Sequence, residues 1–213
     1  MMVQDLRKGE EDNMGRYTGP KDRLSRRENF DLFGKGTKLT RLSQTPGMHG
    51  PKGQMKAQSQ YGRQLREKQK VKRMYGVYEK QFEAYVNKAL NSVGNTGDAL
   101  FGLLEMRLDN VIYRLGFAKT RPQARQLVSH RHVMVNGKRV NVPSYQLKVG
   151  DTISLNQSAM KVPNVEKLIA NKEAVIPGFL KRKAGTGKVE RPVKREDILE
   201  LINESDIIEY YSR

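Results

Sequence analysis

The chain has 213 residues, a formal net charge of +17, a sequence pI of about 10.0 and no cysteine. Without cysteine there are no disulfides and no thiolate metal sites, and no apolar run approaches the ~20 residues of a membrane-spanning helix. So strong a positive balance points to a polyanion as partner rather than to a membrane or a small-molecule substrate.

Residues 1–13, MMVQDLRKGEEDN, are net negative and lack periodicity. They are expected to form a disordered acidic extension. The start has no apolar leader-like run, so a cytoplasmic location is expected. Residues 14–58 read as a basic N-terminal arm. Its Arg16, Tyr17, Lys21, Arg26, Arg27 and Lys52 are candidates for contact with nucleic acid. Thr45–Gly53 is rich in Gly and Pro and reads as a loop. It lacks the G-x-x-x-x-G-K-[ST] spacing of a phosphate-binding loop.

Residues 59–98 are expected to form a helical domain. Arg63, Arg66, Lys70 and Arg73 make a basic face. Tyr78, Phe82, Tyr85, Val86 and Ala89 recur at i, i+4, i+7, i+8 and i+11, an apolar stripe whose aromatics should bury. Asn95-Thr96-Gly97-Asp98 reads as a turn and a helix start.

Residues 99–160 hold the densest signals. Leu104, Leu108, Val111, Ile112 and Leu115 trace the stripe of one helix, ended by Gly116. Thr120 sits where an N-cap belongs, and Pro122 falls in the first turn of a second helix. Arg107 and Arg114 are seven apart, and Arg121, Arg125, Ser129 and His132 share one face of the second helix. Like charges at such spacings repel by a few tenths of a kcal/mol. Two consecutive helices that accept this repulsion are expected to turn their arginines outward to an anion. Lys119 and His130 extend the candidate set. Apolar residues then flank Asn136-Gly137, the signature of a type I′ hairpin, with Lys138 and Arg139 just beyond its tip. Gly150-Asp151 marks another turn, and Thr152–Leu155 alternates like a strand.

Residues 161–213 begin with an amphipathic stretch, Val165–Lys172, broken by Pro177-Gly178. Gly185-Thr186-Gly187-Lys188 looks like half of a phosphate-binding loop, but Val189 stands where Ser or Thr is required, so it reads as a loop near phosphate or merely a loop. This part is expected to supply C-terminal helices and a terminal strand that return to the body.

The run TRPQARQLVSHRHVMVNGKRV, residues 120–140, closely resembles the RNA-binding domain named after ribosomal protein S-four. RYTGPK at 16–21, LSRRE at 24–28 and INESDIIEYYSR at 202–213 narrow the likeness to the bacterial-type ribosomal protein S-four family. The resemblance implies an α+β fold: a helical N-terminal domain, then two short helices packed on a small antiparallel sheet. Asp22 stands where zinc-binding members carry a first cysteine, which implies a variant with neither metal nor other cofactor. It also implies primary binding of 16S-type rRNA, nucleation of assembly of the subunit body and an influence on translational accuracy. Neighbours would include protein S-five, close to where mRNA enters, in a ribosome of the bacterial cytoplasm or an organelle. Asn136, Tyr17, Ser129, His130, His132 and the cations named above are the residues expected to contact RNA.

Two other readings use the same module. Arg107-Leu108-Asp109 matches the R-L-D of pseudouridine synthases, whose aspartate is nucleophilic. Such an enzyme needs a further domain of roughly 150 residues, and none is left over; no catalytic residue is therefore expected. A non-ribosomal RNA-binding regulator is the other alternative.

Overall fold

The computed structural model describes residues 17–36, 39, 41–50, 59–171, 175–198 and 200–212. The expected acidic extension and the candidates Arg16 and Lys52 lie outside these residues.

The first half is helical. Helix α1 (Lys21–Glu28) ends at Asn29, and helix α2 (Gln60–Tyr75) opens on the Ser59 hydroxyl, which accepts from the Gly62 N–H. Gly76 closes α2 with φ 65°, a left-handed geometry that glycine adopts at no steric cost. Helices α3 (Glu79–Leu90) and α4 (Thr96–Glu105) follow, the latter capped by the Asn95 side chain. Val71, Phe82, Val86, Leu100 and Phe101 interlock in one core. Phe82, Val86 and Ala89 bury as the apolar stripe requires, whereas Tyr78 at its start remains half exposed.

The second half builds a sheet with helices on one face. Helices α5 (Leu108–Arg114) and α6 (Arg121–Ser129) precede strands β1 (Val133–Val135), β2 (Lys138–Arg139) and β3 (Thr152–Leu155). Short helices α7 (Gln157–Met160) and α8 (Pro163–Ala170) lead to strands β4 (Leu180–Lys183) and β5 (Thr186–Val189). The sheet is antiparallel in the order β2-β1-β3-β5-β4. Asn136 and Gly137 turn the first hairpin with φ of 49° and 78°, as a type I′ turn demands. Thr120 caps α6 by accepting from the Gln123 N–H at 3.3 Å. Leu108, Ile112, Leu115 and Val128 press on Val133, Ile153, Leu155 and Val189 to make a second core.

The structure corrects four expectations. Leu104 to Leu115 is not one helix: the chain is extended at Arg107, which bridges to Gln146, and the N–H groups of Leu108 and Leu147 bond to Tyr145 and Met106. Backbone pairing with residues 143–147 therefore outcompetes helical continuity. Residues 99–105 accordingly belong to the helical half, where Leu100, Phe101 and Leu104 are buried. Thr186–Val189 is a strand rather than a loop, so the module's sheet extends beyond residue 160. The terminus is helix α9 (Glu204–Tyr211) rather than a strand. It lies along α2, with Ile207 buried, Arg63 paired to Asp206, and the Lys68 ammonium 4.4 Å from the Tyr210 ring centre.

Candidate nucleic-acid interface

The four arginines that define the sequence motif turn inward. Arg107 is fully buried; its Nε and Nη2 meet the two carboxylate oxygens of Asp109 at 3.1 and 2.8 Å, and its Nη1 donates to the Tyr85 hydroxyl. Arg125 reaches the same Asp109 at 3.5 Å. Arg114 donates to Glu105 at 3.0 and 2.7 Å and to Glu200 at 2.8 Å. Arg121 donates to Asn110 and to Glu200 at 3.0 Å, with its guanidinium over the rings of Tyr75 and Tyr113. Burial pushes the Glu200 carboxyl up, but Arg114 and Arg121 outweigh it and hold the group at about 2.

The expectation that Arg107, Arg114, Arg121 and Arg125 face outward is therefore wrong. Repulsion between neighbours along the helices is not what these arginines answer to. The offsetting charges come from the end of α4, from Asp109 within α5 and from the segment before α9.

The other predicted residues divide in two. Arg66 and Arg73 converge on Glu28, and Lys70 meets Glu67 and the Leu201 carbonyl. Burial drives the Glu28 carboxyl up in spite of both arginines. Arg26 donates to the Gln44 and Thr45 carbonyls, tying that loop to α1. The Lys21 ammonium sits over the Phe33 ring, and the Tyr17 hydroxyl donates to the Pro20 carbonyl. Ser129 bonds back to the Arg125 carbonyl, and Asn136 is held by Asp151 and the Thr152 N–H. His132 keeps a buried Nδ1 with no hydrogen-bond partner among the described residues, 6.3 Å ring to ring from His130. Arg27, Lys119, His130, Lys138 and Arg139 remain at least partly exposed, and Arg63 is largely so despite its pair.

A different surface collects cations. Directly opposed residues of an antiparallel sheet point to the same side. Arg139, Met134, Ser154, Thr186 and Lys183 form one row across all five strands, and Thr152, Lys188 and Lys181 form the next. Ile153 and Gly187 point the other way, toward the helices; a Cβ on Gly187 would come within 2.4 Å of Leu115. The outer face thus carries Arg139, Lys181, Lys183 and Lys188, all exposed, among three hydroxyls. Lys181 directly opposes Lys188, an arrangement that costs stability. Lys181 also meets Glu190; the other three make no ion pair among the described residues. Guanidinium, ammonium and hydroxyl groups side by side on one sheet face suit phosphate and sugar contacts. The period-two spacing of Lys181 and Lys183 was the signal in the sequence that could have found this face.

Residues 16–105 match the family described as the ribosomal protein S4/S9 N-terminal domain, and residues 106–153 match the S4 domain. The chain is 48% identical over 210 residues to a small ribosomal subunit protein uS4 of Ralstonia pickettii. It is 47% identical over 209 residues to one of Stenotrophomonas maltophilia and 46% identical over 203 residues to one of Akkermansia muciniphila. Each similarity covers 94% of this chain and all of the relative.

Proposed function

Because the chain belongs to the family of small ribosomal subunit protein uS4, a structural family of the ribosome, we propose that it binds 16S-type rRNA directly and early. On this reading it nucleates assembly of the subunit body. The observation that carries it is the outer sheet face, where four exposed cations stand among hydroxyls. Arg107, Arg114 and Arg121 act indirectly, by locking the module to the helical half so that the RNA meets one rigid body. Holding an interface in place beforehand lowers the ordering cost of binding. Protein S-five and the region where mRNA enters are the neighbours proposed from the family resemblance, as is an influence on accuracy. The compartment proposed is the bacterial cytoplasm, or an organelle of bacterial type.

Sedimentation of cell extract through a sucrose gradient tests this. The chain should track stoichiometrically with the small subunit and enter the earliest assembly particles. A chain that stays at the top of the gradient, or joins only after other proteins, refutes the proposal.

A further inference from the structure

Between the N-terminal arm and the helix junction lies a cavity of about 250 Å³ that the sheet-face reading does not use. Phe33, Met74, Val77 and Pro122 line it, and Tyr17 and Tyr78 at its edge are 47% and 52% exposed. Several cations reach it, but most are spent: Lys72 pairs with Glu79, Arg73 with Glu28, and Arg121 with Glu200. Two retain capacity. Lys21 makes no ion pair among the described residues, and Arg125 holds Asp109 at 3.5 Å, the longest ion pair among them. Asp109 already accepts three hydrogen bonds, two from the Arg107 guanidinium and one from the Asn110 N–H, so Arg107 offsets its charge toward an incoming anion.

We infer that this cleft takes a single extruded nucleotide of the bound RNA, with its base among the aromatic side chains and its phosphate at Lys21 and Arg125. An apolar slot flanked by aromatic rings accepts a flat base, and the two available cations supply the anion contact that a purely apolar ligand would not need. Single-stranded RNA is recognised in this way, by unstacked bases laid on aromatic side chains. The inference rests on the RNA-binding reading above but concerns a different surface.

The test uses the full chain, isotopically labelled at the methionine methyl carbons for NMR, the Met74 signal being assigned with Met74→Leu. AMP, CMP, GMP and UMP should shift the Met74 methyl saturably in the millimolar range, whereas ribose 5-phosphate and inorganic phosphate should not. Tyr78→Ala should weaken the effect at least about fivefold, the lower end of one base–aromatic stack, and Tyr78→Phe should preserve it. No shift with any nucleotide, an equal shift with phosphate alone, or unchanged affinity in Tyr78→Ala overturns the inference. Binding of a 16S-type rRNA fragment is measured on the same samples. If rRNA binds while Met74 is silent, only the cleft is refuted. If nucleotides bind and rRNA does not, the cleft stands and the ribosomal RNA proposal fails.

Discussion

The Arg114 guanidinium lies against the Glu105 carboxylate in a two-pronged pair, Nε to Oε2 at 3.0 Å and Nη2 to Oε1 at 2.7 Å. Glu105 ends α4 in the helical half, and Arg114 ends α5 in the module. The pair therefore joins the two cores. Glu105 also accepts from the Tyr75 hydroxyl at 2.6 Å and from Asn110 at 2.7 Å, so one fully buried carboxylate ties α4 to both α2 and α5. Burial and the Glu105 charge together push the Tyr75 hydroxyl well above its ordinary range, which keeps it a donor.

Replacing that carboxylate should be costly. Glu105→Ala leaves Arg114 with Glu200 alone and strips the partner from Tyr75. The expected loss is about 3–5 kcal/mol, as for breaking a buried pair on one side, read as a lower urea midpoint. An unchanged midpoint would show that the two halves are held by apolar contact only.

Acid should weaken the same junction. The folded Glu200 carboxyl sits at about 2 against an ordinary 4.5. A lowered folded value means that the contribution is complete above the ordinary value and fades as pH falls toward 2. Its size is on the order of 3 kcal/mol. Stability measured from pH 6 to pH 2 should fall for the native chain, and Glu200→Gln should flatten the profile in that window. Parallel profiles for the two proteins would rule this out.

Charge removal on the sheet face should separate binding from folding. Arg139→Gln, Lys183→Gln and Lys188→Gln together should reduce the log–log salt slope of rRNA binding by about three, one per phosphate contact. Stability should stay within roughly 0.5 kcal/mol, as for surface changes generally. Arg107→Gln should do the reverse, lowering stability with little change in slope. If the triple variant binds with native salt dependence, the RNA lies elsewhere.

Gly187→Ala tests the packing of β5 on α5. Its new methyl would meet Leu115 Cδ1 at 2.4 Å and Cδ2 at 2.7 Å. Overpacking of this kind costs about 1–3 kcal/mol. Thermal unfolding measures it, and a Tm equal to that of the native chain would mean that Leu115 has room to move.

The sequence by itself determined several of the local elements of this protein. Thr120 as a cap, Gly116 past the end of α5 with φ 72°, and the Asn136-Gly137 turn all follow from backbone preferences acting over a few residues. The same short-range logic placed the apolar stripe of α3, and the motifs carried the family likeness. Only the tertiary structure decided where the charges went. Glu105 reaches Arg114 across a helix break, Glu200 reaches Arg121 over 79 positions, and Lys188 comes to face Lys181 through a hairpin that sequence spacing assigns to a loop. Helical spacing sets which side of a helix a guanidinium leaves from. Whether water, an acid or RNA waits there depends on segments distant in sequence, because electrostatic partnership is settled by proximity in space.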